Sequence, residues 1–162
     1  MSLFDYPKLK QLKSNYCGVS ATQFVLAYYE GILLNDFELA KKLKTKRHGT
    51  EPKEISKFFE RRGYKVIYKE MIPSELKSFL KRKIPVILLL TAWGGGHYVV
   101  ALEYSSKKNE IYFEDSIIDL HKGFMTIDEL KDKWYTEDSK SIGIAIYGKK
   151  PIYDKKKLVH IE

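Results

Sequence analysis

The chain has 162 residues, 44% of them hydrophobic, which fits one domain able to bury a core without disulfides or metal. Its one cysteine excludes an intramolecular disulfide and a thiolate metal cluster. The net charge of +8 is almost all lysine, 25 Lys against 4 Arg. Arginine is the residue that grips phosphates and reads bases with two prongs, so a solvated lysine surface is the simpler reading and nucleic acid is disfavoured as a partner. The apolar run 86–90, like every other in the chain, is far short of the roughly 18 residues of a membrane span. No charged-then-apolar leader opens the chain, so a reduced, cytoplasmic setting is expected.

In chain order, Ala21, Phe24, Val25, Tyr28 and Tyr29 recur at helical spacing after Asn15, a possible cap, and Gly31 is a stop. This puts Cys17 in a first helical turn. Asp36 caps a short helix to Leu43. Thr50 and Pro52 open a third helix, with Ile55, Phe58 and Phe59 inward and Gly63 as its end. Residues 64–70 alternate as a strand. Ser74 starts a helix that ends before Pro85, and 86–91 read as a buried strand. Residues 97–104 and 110–115, joined by a polar turn, form a hairpin. Thr126 and Glu129 make a capping box for a helix to Tyr135. Ile142, Ile144 and Ile146 alternate on a last strand. The expectation is an α+β chain, an N-terminal helical half packed on a mostly antiparallel sheet. A single domain over 1–151 is expected to be followed by a loose basic tail, 152–162.

Cysteine chemistry runs through the thiolate, and a helix N-terminus favours that negative charge. Cys17 stands at such a place, with Gly18 leaving the backbone open to close approach. A lone cysteine is more often a buried structural residue, so a base is needed to argue otherwise. Of four histidines, His97 opens a strand directly after Gly94, Gly95 and Gly96; the others lie in a basic loop, beside a turn and in the tail. A base needs an acid to orient it. If Tyr104 faces Glu110 across the hairpin, Val99 faces Asp115, and His97 and Asp115 are diagonal neighbours on one face. Asp119 shares that parity but lies past the expected end of the strand. The oxyanion formed by thiolate attack on a carbonyl needs donors. The Cys17 backbone N–H and the Gln11 side chain are candidates.

Gln11, five residues, then Cys17-Gly18 and a helix ending in aromatics and Gly31 resemble the opening of the bacteriocin-processing cysteine peptidases. These are family thirty-nine of the papain-like group, usually the N-terminal domain of peptide-exporting ABC transporters. Five further segments resemble that family in order: His48-Gly49-Thr50, Arg62-Gly63-Tyr64, the stretch around Pro85, His97 with the apolar run behind it, and Asp115 followed by Gly123 and by Trp134. The resemblance runs from about residue 4 to residue 151. It implies Cys17 as nucleophile, His97 as base, Asp115 as orienter and Gln11 as oxyanion donor. It also implies a peptide with a leader ending in Gly-Gly, cut after the second glycine in a narrow cleft. Tyr16, Gly18, Trp93 and Gly96 are the candidates to line that cleft. Tyr16 stands where the family usually has an acid, Ser116 where it has proline, and the Gly94–Gly96 run is a further departure. No phosphate-binding loop occurs in the chain, so a separate ABC transporter would be the partner, or the chain is a domain of a longer one.

The expected activity is therefore that of a cysteine peptidase needing no metal or organic cofactor. The same triad can transfer its acyl group to an amine, so an acyl or γ-glutamyl transferase is the alternative enzyme. A module that only holds leader peptides is the alternative without catalysis.

Overall fold

The structure is a computed structural model that describes residues 13–92, 95–115, 122–136, 138, 140–151 and 159–161. Its first element, α1 (Cys17–Glu30), is buried at every residue except Glu30. A helix buried on every face lies in the middle of a protein rather than on its surface. Gly31, at φ 66°, ends it and returns its N–H to the Ala27 carbonyl. A short β1 (Ile32–Leu34) leads into α2 (Asp36–Lys42). The cap of α2 is Asn35, whose side chain accepts from the N–H groups of Phe37 and Glu38; the expected cap, Asp36, is the first helical residue. Next come α3 (Pro52–Arg61), β2 (Lys65–Glu70), α4 (Pro73–Lys81), β3 (Val86–Ala92), β4 (Gly95–Ser105), β5 (Glu110–Glu114), β6 (Lys122–Thr126), α5 (Ile127–Lys133), β7 (Ile142–Tyr147) and β8 (Val159–Ile161). The Thr126 hydroxyl accepts from the Glu129 N–H at the start of α5.

Six strands form one sheet in the order β2-β7-β3-β4-β5-β6, antiparallel at every pairing. Alternation sorts their side chains into two cores. Ile87, Tyr98, Val100, Leu102, Ile144 and Ile146 pack with α1, α2 and α3. Val86, Leu88, Leu90, Val99, Ala101, Ile111 and Phe113 pack with α4 and α5. The class is α+β as expected, but the helices lie on both faces of the sheet, not on one. Two strands besides β1 are not expected from the sequence pattern. One is β6, which carries Gly123 against the ring of Phe113: a Cβ there would lie 2.4 Å from the ring. The other is β8, at the end of the expected loose tail, which pairs in parallel with β1. Residues 152–158 of that tail lie outside the described residues.

The β4–β5 register decides which acid can reach His97. Near the turn Ser105 pairs with Glu110 and Tyr104 with Ile111, one residue away from the expected pairing. A bulge between Ala101 and Glu103 then absorbs Leu102, and Ala101 pairs with Phe113 and Val100 with Glu114. Beyond the bulge the ladder is therefore in the expected register, because one extra residue on one strand cancels a one-residue slip. Asp115 comes directly after and arrives on the parity of Val99 and His97.

Candidate active site

Cys17 is the first residue of α1. Tyr16 at the cap position has φ −101° and ψ 18° and gives no side-chain cap, and the first turn carries no acidic residue. The sulfur is thus the local group able to take negative charge at the positive end of this helix. Asn15 is not the cap. The residue just before the helix is Tyr16, whose backbone is not the extended one of a side-chain cap. Asn15 Nδ2 instead donates to the Lys46 carbonyl at 2.8 Å.

Gly18 lets the start of α1 lie tight against β4 and the segment before α3. A Cβ at this position would stand 2.9 Å from Thr50 Cβ and 3.2 Å from Tyr98 Cδ2. Tyr98 ties the same three pieces together, its buried hydroxyl donating to the Thr50 carbonyl at 2.6 Å. A buried phenol needs such an acceptor. The sequence marks Thr50 as a helix opener but not as the neighbour of Gly18 and Tyr98. The signal available is a glycine after the cysteine together with a tyrosine next to the strand histidine.

His97 pairs with Leu90 on β3 and has the parity of the α4–α5 core, whereas Cys17 comes from the α1 side. On the other side of β4 the ladder with β5 ends, among the described residues, at Val100–Glu114. The Cys17 sulfur meets the Tyr98 N–H and the His97 ring. His97 Nε2 and Asp115 Oδ1 share a hydrogen bond of 2.7 Å, which leaves Nδ1 for the sulfur. Cys17 is 8% exposed, His97 4% and Asp115 3%, so bulk water does not screen the three from one another.

The charges follow from these contacts. Burial pushes the Cys17 thiol up, but the His97 hydrogen bond, the Tyr98 N–H, the His97 charge and the Gly18 N–H together hold it below its ordinary value. Burial alone would lower His97; hydrogen bonds to Asp115 and Cys17 and the charges of both raise it, to about 9. An acid lowered beside a base raised is an arrangement for a thiolate–imidazolium pair. The sign gives a test. Cys17 should react with iodoacetamide at a rate that stays high below the ordinary thiol range and falls only as acid protonates the pair. A thiol that titrates at the unperturbed value of roughly 8.5, or that labels only on unfolding, would exclude the ion pair.

Of the other expected site residues, Tyr16 is buried, edge-on to Phe37 at 6.2 Å between ring centroids. Gly18 is buried under Thr50 and Tyr98 and acts through the side chain it lacks. Gly96 is exposed on β4 opposite Thr91. Gln11 and Trp93 lie outside the described residues. Among the described residues no three His, Cys, Asp or Glu side chains gather to hold a metal ion, and no helix is long and apolar enough to cross a membrane.

The model of the Peptidase C39 family matches residues 5–137. Solved structures share the fold at low identity. The double glycine motif protease of an AMS/PCAT transporter, solved in complex with the leader peptide, is 18% identical with a TM-score of 0.69, over 86% of this chain and 89% of that one. The peptidase domain of Streptococcus mutans ComA is 15% identical with a TM-score of 0.66, over 88% and 100%. Another Streptococcus ComA peptidase domain is 14% identical with a TM-score of 0.68, over 87% and 97%. No curated protein matches the chain in sequence.

Proposed function

The chain belongs to the peptidase C39 family, and from that premise we propose that it is a cysteine peptidase that cuts a peptide after a Gly-Gly leader, with Cys17 as nucleophile. His97 takes the thiol proton, and Asp115 keeps the imidazole oriented and balances its charge. The thiolate attacks the scissile carbonyl, and the Cys17 N–H with Gln11 receives the oxyanion. His97 then gives its proton to the leaving amine. Water, deprotonated by His97, releases the acid and restores the thiol. The observation that carries this reading is His97 between Asp115 and Cys17, a buried base with an acid on one ring nitrogen and the chain's lone thiol on the other. The solved relatives named for a double glycine motif and for an ABC transporter support the choice of substrate class and of a transporter as partner.

A cleft that admits only glycine excludes a β-carbon sterically, so exclusion should appear as lost rate, the carbonyl being held away from the sulfur. Two otherwise identical peptides, ending Gly-Gly and Gly-Ala before the scissile bond, are the test, read by mass spectrometry of the products. The first should be cut and the second left intact. Equal cleavage would remove the double-glycine assignment. An amide product formed with an added amine, in place of the free acid, would favour the transferase.

A further inference from the structure

The loop between α2 and α3 is built more tightly than a connection requires. Lys46 and Gly49 exchange both backbone hydrogen bonds, each at 2.9 Å, closing a two-residue turn with Arg47 and His48 at its tip. Gly49 takes φ 111°, and Lys44 enters the loop at φ 52°. The Thr45 and Thr50 hydroxyls bond each other at 2.7 Å. The loop is fastened to the candidate site at two points: Asn15, just ahead of Cys17, donates to the Lys46 carbonyl at 2.8 Å, and Tyr98, next to His97, donates to the Thr50 carbonyl at 2.6 Å. Both legs of the turn are therefore tied to residues adjoining the site, through Asn15 on one and Tyr98 on the other.

The charges of the loop divide into paired and unpaired. Lys41 meets Glu38, Lys44 meets Glu54 and His48 meets Glu51. Arg62, at the C-terminal end of α3, is bound to Glu30 through both Nε and Nη2. Arg47 and its neighbour Lys46 are exposed, and among the described residues neither has a carboxylate partner in an ion pair. A guanidinium is a rigid fork matched to a carboxylate, and fixing its backbone lowers the entropy cost of using it.

We propose that Arg47 is a recognition residue for an acidic side chain of the peptide substrate, presented beside the catalytic residues by the stapled 45–50 turn. The inference rests on the peptidase reading given above and adds a charge requirement to it. The test uses the full chain carrying Cys17→Ala, which holds peptides without cutting them. Fluorescent Gly-Gly leader peptides are compared by anisotropy, each with a single glutamate or a single glutamine at one position flanking the glycines. One position, or two adjacent ones, should bind about tenfold tighter with glutamate. Adding Arg47→Gln should make the two peptides of that pair bind alike, and Arg47→Lys should keep part of the preference. A charge preference absent at every position, or one that survives Arg47→Gln in a variant with unaltered melting temperature, overturns the proposal. If the wild-type chain cuts a Gly-Gly peptide in either case, only the role of Arg47 falls. If no peptide binds and none is cut, the substrate assignment falls with it.

Discussion

Cys17→Ala should bind substrate and turn it over at a rate lower by about 10⁶, as when a nucleophile is removed from a triad that acts as a unit. The change deletes one sulfur from a residue that is 8% exposed, and alanine suits a helix start, so the fold should persist and the melting temperature should move little. Cys17→Ser keeps the size but replaces a thiol already lowered by His97, Tyr98 and Gly18 with a hydroxyl that these contacts cannot ionise. It should be nearly as inactive. A cysteine that merely packs would tolerate both changes, so full activity in either variant would end the peptidase mechanism.

Asp115→Asn should lower turnover by about 10⁴ with the fold intact, the size of effect seen when the orienting acid of a catalytic triad is made neutral. Asp115 is buried and hydrogen-bonded to His97 Nε2. An amide there can donate to Nε2 and push the ring proton to the nitrogen that must accept from the thiol. The loss should carry a pH signature as well. With the carboxylate gone, one of the causes that raises His97 to about 9 disappears. The high-pH limb of kcat, where the imidazolium loses its proton, should move to lower pH. Asp119→Asn, at the other odd-numbered acid of this stretch, which lies outside the described residues, should leave the rate as it is. Equal losses from the two changes would reassign the orienter.

How far the sequence speaks for itself differs from element to element. α1 is legible because Ala21, Phe24, Val25, Tyr28 and Tyr29 recur at helical spacing and Gly31 follows, the residue that ends the helix at φ 66°. Its cap is misread because Asn15 is the stronger capping residue by type, while the backbone at Tyr16 sets where the helix begins. The pairing that brings Asp115 near His97 is legible only in its outcome. Hairpin counting cannot see a bulge, and Leu102 looks like any other core residue of a strand. β6 is missed since Lys122-Gly123-Phe124 has no alternation to read; its glycine is there because the Phe113 ring occupies the space. The placing of α4 and α5 on the second face of the sheet is implicit in the strands, whose odd and even positions in β4 are both apolar. That pattern means burial on both sides. Gln11 and Trp93 lie outside the described residues.

The bulge at Leu102 bears on how the protein comes into being. Cys17 leaves the ribosome early and Asp115 late, and between them must form a helix start, a bulged hairpin and the stapled turn at Thr50. Contacts between segments so far apart along a chain are slow to form and are made late. A growing chain therefore carries its thiol at the ordinary ionisation of an unfolded cysteine, without the histidine that would activate it. If His97 and Asp115 act as proposed, proteolytic competence arrives only when β5 has docked against β4 in the bulged register. On the proposed mechanism, a newly made chain is thus held harmless to its neighbours by its own topology until synthesis has passed Asp115.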